Sequence, residues 1–259
     1  MQFFLGVHHA DMGWPLSLRD VPVCISANTL RERQGRIAFV GQGDPGWMLD
    51  SGAFTQVTLK GGFEQTPADY AELIRRYGDW DDSGMKIAVS QDYMCEPFVL
   101  KQTGLSVADH QALTVDRFDA IRDAGTGRVP LMPVLQGWTV ADYLRHLEQY
   151  ADRIGPADWV GVGSVCKRQG HPRDIEFILT AILKERPNLR LHGFGVKKTA
   201  LRHQGVRSRL FSADSLAWSY AARREGRDQN DWFEGYTYFR ELMDVPPPSD
   251  LPLFAAAAA

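Results

Sequence analysis

The chain has few cysteines, no long apolar segment and little net charge. Its three cysteines, Cys24, Cys95 and Cys166, are far apart and form no CxxC pair, which argues against a disulfide framework and a cysteine-based zinc site. No segment approaches the roughly 20 apolar residues that a membrane span needs. The first residues lack a basic leader and a sufficiently long apolar stretch, so no signal peptide is predicted. We therefore expect a protein of the reducing cytoplasm with no membrane partner.

The composition is that of an ordinary globular protein. Hydrophobic residues make up 44% and charged residues 24% of the 259 positions, and the net charge of −3 gives no global signal for nucleic acid. A chain of this length is long enough for one barrel of alternating strands and helices. We predict one domain over residues 1–240 and an extended, proline-rich C-terminal tail over residues 241–259.

Eight short apolar runs are predicted strands, at 3–7, 21–26, 47–50, 86–92, 130–136, 159–165, 190–196 and 209–212. Most are continuous rather than alternating, which is typical of strands covered on both faces. Helices are predicted over 66–77, 105–124, 139–154, 172–185, 198–203 and 215–224. This alternation indicates a parallel sheet, and eight strands favour an α/β fold of the (β/α)8 TIM barrel type. No GxGxxG motif follows the first strand, which weighs against a dinucleotide-binding fold.

Three carboxylates, Asp50, Asp92 and Asp214, end separate strand-like runs. Strand C-termini form the catalytic face of such a barrel, so these side chains are expected to meet. Two carboxylates suffice for glycosidic chemistry, because one attacks the anomeric carbon while the other handles the proton of the leaving group. A third can accept hydrogen bonds from the N1–H and N2–H2 edge of a guanine-like base. Gln136 and the backbone amides near Gly163 would donate to a carbonyl oxygen.

The same residues also have ordinary structural roles to consider. Asp50 and Asp214 are both placed where a turn or a helix cap is common. His192 can be a hydrogen-bonded structural histidine, and glycines at strand ends can serve packing alone. His8 and His9 suggest a metal site, but adjacent strand residues point to opposite faces, so no metal is predicted.

The segment Asp50-Ser-Gly-Ala-Phe54 resembles the Asp-Ser-Gly-(Gly/Ala)-Phe signature of the tRNA-guanine transglycosylases. Segments 90–97, 133–137, 161–165, 192–195 and 213–214 resemble further motifs of that family, in the same order. The resemblance implies a barrel enzyme that exchanges guanine for a 7-deazaguanine base without a cofactor. It implies that Asp214 attacks C1′, that Asp50 is the general acid and base, and that Asp92 holds the N1/N2 edge. The implied base site is completed by Ser51, Gln136, Gly137, Gly161, Gly163, His192 and Gly193.

Two departures from that family point to its DNA-modifying relatives. No cysteine follows Cys166, so the zinc subdomain of the tRNA enzymes is missing, and Leu216-Ala-Trp-Ser219 replaces a Pro-Thr-Arg stretch. The zinc-free pattern is similar to enzymes that insert bases such as preQ0 into bacterial or phage DNA. We therefore expect DNA and a free 7-deazaguanine base as partners, with tRNA as the alternative polymer, and leave open whether helper proteins take part. Phosphate contacts are predicted for Lys197, Lys198, Arg202, Arg223 and Arg224.

Two hypotheses of other classes stay open on the same residues. A retaining glycoside hydrolase would use Asp50 and Asp214 on a carbohydrate, with pocket aromatics and carboxyl groups about 5 Å apart. A non-catalytic barrel that binds nucleic acid or a protein would keep its activity in an Asp214→Ala variant.

Overall fold

The computed structural model describes residues 1–31, 45–168 and 170–243. Its strands are β1 (Gln2–Val7), β2 (Val23–Ser26), β3 (Trp47–Asp50), β4 (Met85–Val89), β5 (Leu131–Met132), β6 (Val134–Leu135), β7 (Trp159–Val162), β8 (Arg190–Gly193) and β9 (Ser212–Ser215). All pairings are parallel, in the order β5-β4-β3-β2-β1-β9-β8-β7-β6. Only Pro133 separates β5 from β6, so the two ends of this order meet and the sheet curls into a barrel. The predicted α/β TIM barrel is confirmed.

Pro133 explains why the strand predicted over 130–136 appears in two pieces. It has no N–H to donate to a neighbouring strand. The first half of the segment pairs with β4, where Ser90 N–H donates to Met132 O at 3.0 Å. The second half pairs with β7, where Gly161 N–H donates to Pro133 O at 2.8 Å. The segment therefore joins β4 to β7.

The described helices are α1 (Gly13–Ser17), α2 (Ala53–Lys60), α3 (Pro67–Gly78), α4 (Pro97–Thr103), α5 (Val107–Ala124), α6 (Val140–Tyr150), α7 (Pro172–Glu185), α8 (Lys198–Leu201), α9 (Gln204–Arg207), α10 (Ala217–Arg224) and α11 (Trp232–Met243). Thr66 and Ser106 cap α3 and α5, since their side chains accept from the N–H groups of Asp69 and Asp109. The helix predicted over 198–203 begins as expected but ends at Leu201, and a second short helix, α9, begins at Gln204.

Two hydrophobic layers result from the alternation of side chains along each strand. Phe3 and Leu5 of β1 belong to the larger cluster between the sheet and its helices. Phe4 points inward and joins the barrel interior, together with Cys24, Met48, Ile87, Val89, Met132 and Val134. This inner layer fills the barrel below the strand C-termini, where the inward positions become polar.

Two differences between the predicted and the observed strand bounds concern the acidic residues. β4 ends at Val89, so Asp92 lies in the following loop. The last strand is Ser212–Ser215 rather than 209–212, so Asp214 lies within it. The prediction was wrong because it followed the apolar pair Leu210-Phe211. The observed strand carries Ser212 and Asp214 on its inward face. Because these inward residues are polar, the segment contains no apolar run by which it could be recognised.

Helix α11 covers the outside of β1. The ring of Phe3 lies 6.3 Å from that of Tyr238 and 6.4 Å from that of Phe239. The predicted boundary at residue 240 falls inside this helix, and the proline-rich segment from 244 onwards lies outside the described residues, so the division into barrel and tail stays a prediction. Within the described part of the chain, none of the helices has both the length and the apolar character needed to cross a bilayer.

Candidate active site

A cavity of about 360 Å³ opens at the C-terminal ends of the strands. The three predicted carboxylates Asp50, Asp92 and Asp214 all line it, as do Gln136 and Gly163. Its other polar and aromatic lining residues are Ser26, Phe54, Glu96, Ser164, Cys166 and Phe194. Among the described residues no lysine or arginine lines the cavity, so it is rich in hydrogen-bond acceptors. Such a site suits a flat ligand with several N–H donors.

Asp50 is the last residue of β3 and lies beside Ser26 of β2. Its Oδ2 accepts from the backbone N–H of Gly52 at 2.9 Å. Gly52 has φ +76°, and an added Cβ there would lie 2.3 Å from Asn28 Nδ2, so this turn needs glycine. Burial, reinforced by the nearby charge of Asp214, raises the pKa of Asp50 to about 6, against the hydrogen bonds from Gly52 and Ser26. Asp50 can therefore both give and take a proton near neutral pH.

Asp92 lies in the loop after β4, the strand that pairs with β3. Its Oδ1 accepts from Ser51 Oγ at 3.2 Å, and its Oδ2 accepts from Gln136 Nε2. Burial, with a further contribution from the charge of Asp50, raises the pKa of Asp92 to about 7. Ser51 supports this carboxylate from outside the cavity lining. The Asp92 carboxyl group is therefore buried, has a pKa close to neutral pH, and can accept hydrogen bonds from a ligand.

Hydrogen bonds of its backbone groups hold Gln136 in place. Its C=O accepts from Gln111 Nε2 at 2.7 Å, and its N–H donates to His146 Nδ1 at 2.8 Å. Its Oε1 accepts from Ser164 Oγ at 2.7 Å. A Cβ added to Gly163 would lie 2.1 Å from Gln136 Nε2, so glycine at that position leaves room for the amide. The backbone of Gln136 is therefore held in place, and its side-chain amide faces the cavity with Nε2 on Asp92.

Asp214 occupies the inward face of β9, beside Phe4 of β1. Its Oδ1 accepts from the N–H of Gly195 at 3.0 Å and lies 3.2 Å from His192 Nε2. The Asp214 side chain is 17% exposed, whereas the His192 side chain is fully buried. No described residue donates a hydrogen bond to Oδ2, which leaves this oxygen for a ligand.

Several predicted base-binding residues do not reach the cavity surface. Gly161 makes room for the Phe194 ring, since an added Cβ would lie 2.4 Å from Phe194 Cε2. Gly137 packs against α6 and Gly193 packs against Val196. His192 lies beneath Asp214 rather than in the lining.

The predicted phosphate-binding residues lie outside the lining of the cavity. Lys197 and Lys198 begin α8, directly after β8, and Lys198 forms an ion pair with Glu241. Arg202 lines a second, smaller cavity beside Lys198. Arg223 and Arg224 end α10, which follows β9, and both lie over the ring of Tyr220. All five residues therefore lie on or next to the helices that follow β8 and β9, and β9 is the strand that carries Asp214.

Phe54, Phe194 and Glu96 are among the cavity residues that were not assigned a role from the sequence. Phe54 and Phe194 supply aromatic surface, and Phe54 could have been found as the last residue of the Asp-Ser-Gly-Ala-Phe motif. Glu96 is 2% exposed and lies 2.8 Å from Ser164 Oγ and 3.6 Å from Cys166 Sγ. Its position before Pro97 gave no signal beyond that of a helix start.

The structure offers no metal site among the residues it describes, since no group of three His, Cys, Asp or Glu side chains is arranged to hold an ion. His8 instead forms a hydrogen bond with Ser219 of α10.

One family model, described as "DpdA: DeoxyPurine in DNA protein A", matches residues 1–229. The matched range contains all of the strands, the cavity and helix α10. No curated protein matches the chain. Because the match covers most of the chain and its catalytic face, the chain belongs to the DpdA family of DNA 7-deazaguanine transglycosylases, which is related to the tRNA-guanine transglycosylases.

Proposed function

We propose that this protein replaces guanine in DNA with a free, preQ0-like 7-deazaguanine base through a covalent intermediate on Asp214. Membership of the DpdA family supports, in general terms, a transglycosylase that modifies guanine in DNA. The detailed proposal is based on the different environments of the Asp50 and Asp214 carboxyl groups within one cavity. Asp50 has a raised pKa, while Asp214 has an N–H donor on one oxygen and leaves the other free.

Guanine binding uses the acceptor-rich wall of the cavity. The N1–H and N2–H2 groups of the base donate to the Asp92 carboxylate, whose ionised form these donors stabilise. Gln136 Nε2 then turns from Asp92 to the O6 carbonyl of the base. Phe54 and Phe194 offer aromatic surface for stacking on the ring. A target base in a duplex first leaves the stack, at a cost of a few kcal/mol.

Base release follows by nucleophilic displacement. Asp214 Oδ2 attacks C1′ of the deoxyribose, the C1′–N9 bond breaks, and its electron pair goes to the guanine. Protonated Asp50 donates its proton to the leaving base, which departs neutral. The products of this half-reaction are free guanine, a covalent deoxyribosyl ester on Asp214 and an ionised Asp50.

The second half-reaction reverses these roles. A free 7-deazaguanine base occupies the vacated site and makes the same contacts with Asp92 and Gln136. Asp50 takes the proton from N9 of the incoming base, N9 attacks C1′, and the Asp214 carboxylate leaves. One proton and one base have been exchanged, so no cofactor is needed to balance the reaction.

The position of the basic side chains supports a polynucleotide as the donor of guanine. The sugar must lie beside Asp214, and the phosphates on either side of it then lie near the helices that follow β8 and β9. Lys197, Arg202, Arg223 and Arg224 are exposed on these helices.

The experiment that tests this function uses DNA and tRNA that carry labelled guanine, each with and without free preQ0. We expect release of more than one labelled guanine per protein molecule from DNA only in the presence of preQ0 or unlabelled guanine. After the reaction with preQ0, mass spectrometry of the digested DNA should show the new nucleoside. Release from tRNA alone would replace DNA by tRNA as the substrate. Release without base incorporation would indicate a hydrolase, and no release from either polymer would contradict the proposal.

A further inference from the structure

His192 is fully buried, yet it is connected to the proposed nucleophile by a chain of hydrogen bonds across the barrel interior. Trp159 Nε1–H donates to Ser212 Oγ at 2.7 Å, and Ser212 Oγ lies 2.9 Å from His192 Nδ1. The other ring nitrogen, His192 Nε2, lies 3.2 Å from Asp214 Oδ1. The chain thus runs from an indole on β7 through β9 and β8 to the Asp214 carboxylate.

The groups at the two ends of this hydrogen-bond chain determine which atom donates at each step. An indole N–H only donates, so Ser212 Oγ accepts from Trp159. Among the described residues, the acceptor next to the Ser212 hydroxyl hydrogen is His192 Nδ1, which must then carry no proton. Nε2 of the neutral ring therefore carries the hydrogen and donates to Asp214. In the other tautomer the serine hydrogen has no acceptor, and the Nε2 lone pair faces a carboxylate oxygen.

The packing holds the imidazole in this position. The Phe194 ring contacts it nearly edge to face, with centroids 4.6 Å apart, and the Phe4 ring lies 6.3 Å away on the barrel interior side. With no exposed surface, the ring has no water to replace Ser212 or Asp214 as a partner. Its orientation is therefore defined by protein groups alone.

We propose that His192, in its neutral Nε2–H form, is the positioning residue of the Asp214 carboxylate. This inference rests on the proposed function for its catalytic consequence and on the geometry alone for its tautomer. His192 and Gly195 both donate to Oδ1, which turns Oδ2 toward the cavity and stabilises the carboxylate charge. The same two donors stabilise Asp214 again when it leaves C1′ in the second half-reaction. His192 itself does not touch the base.

A matched pair of substitutions tests the donor. Gln has an N–H₂ that replaces Nε2–H, whereas Met has similar length and no donor. We expect His192→Met to form the covalent DNA adduct about 10- to 100-fold more slowly than His192→Gln, the range for one hydrogen bond to a charged group. The KM values for DNA and for the free base should not differ between the two variants, because the residue does not contact the base. Equal adduct rates in the two variants would overturn the proposal.

A second measurement needs no substrate and so stands apart from the proposed function. In ¹⁵N NMR spectra of the full-length protein, we expect His192 to carry its proton on Nε2 and not on Nδ1. His110 supplies an internal comparison, because its Nδ1 faces the Met94 carbonyl at 2.6 Å and must be the protonated nitrogen. The same spectrum should therefore contain the two opposite tautomers. An Nδ1–H form of His192 would overturn the inference even if base exchange is found, and failure of base exchange would leave this assignment to be judged on the spectrum.

Discussion

At the scale of single residues, Asp50, Asp92 and Asp214 have the same side chain in three different environments. Burial and neighbouring carboxylates raise the pKa of Asp50 to about 6 and that of Asp92 to about 7. Asp214 instead receives N–H groups on one oxygen. In the proposed reaction, these surroundings distinguish Asp50 as the proton carrier and Asp92 as the acceptor for the base edge from Asp214 as the nucleophile.

The raised pKa of Asp50 gives a pH dependence with a definite sign. Release of guanine needs protonated Asp50. At saturating DNA, where the N–H donors of the bound base keep Asp92 ionised, its rate in a single turnover should therefore be constant below about pH 6. Above that pH it should fall by about tenfold per pH unit, because the protonated fraction falls by that factor. The measurement is rapid-quench analysis of labelled guanine between pH 5 and 8. An Asp50→Asn variant should show no release across this range, and a rate that rises through pH 6 would show that Asp50 does not act first as an acid.

Much of the site was predictable at this scale because the motif residues stand at strand ends. Asp50, Asp92, Asp214, Gln136 and Gly163 all line the cavity, as expected. The role of His192 was not predictable, since a contact through Ser212 to Trp159 joins residues that are distant in sequence. Glu96 was missed for the same reason, because its cavity partner Ser164 lies on another strand end.

At the scale of elements, β6 and β7 define one wall of the cavity. Gln136 follows β6, and Gly163 follows β7, where it leaves the space that the Gln136 amide occupies. The helices behind this wall were predictable from periodicity, but the bounds of the short helices after β8 were not. α8 and α9 have four residues each, which is too short for a periodic pattern to show where one ends and the next begins.

A methyl group at Gly163 should therefore impair binding of the free base. In Gly163→Ala the added Cβ displaces Gln136 Nε2, the group that faces the base carbonyl, so we expect the KM for the free base to rise by at least about tenfold. The kinetics of base incorporation at varied preQ0 concentration give this value. Gly170→Ala is the matched control, because nothing lies within 4 Å of a Cβ at that position. Similar KM values for the two variants would show that the β6–β7 wall does not bind the base.

At the scale of the whole molecule, the net charge is −3, yet exposed basic residues also lie beside the strand that carries Asp214. Lys197 and Arg202 flank α8, and Arg223 and Arg224 end α10. The cavity itself has no basic lining among the described residues. A polynucleotide can therefore be held at the rim by its phosphates while the acceptor-rich cavity receives one base.

Removal of the two positive charges at the end of α10 should weaken DNA binding in a salt-dependent way. For the double variant Arg223→Ala and Arg224→Ala, the slope of log affinity against log salt should decrease by about 1 for each phosphate that is no longer neutralised. Fluorescence anisotropy over a range of salt concentrations measures this slope. Arg128→Ala is the control, because this exposed arginine lies between α5 and β5, at the opposite end of the barrel, where it pairs with Asp79 and Asp81. Equal slopes for the rim variant and wild type would place the DNA elsewhere.

The central claim is that Asp214 forms a covalent bond to the sugar of DNA as guanine leaves. The most direct test is denaturing electrophoresis and intact-mass analysis of the protein quenched during exchange on labelled-guanine DNA. Wild type and the exposed-site control Asp81→Asn should both give a protein–DNA adduct with release of guanine. Asp214→Asn should give neither product. An adduct or undiminished guanine release in Asp214→Asn would contradict the account, as would release by wild type with the bond mapped to any other residue.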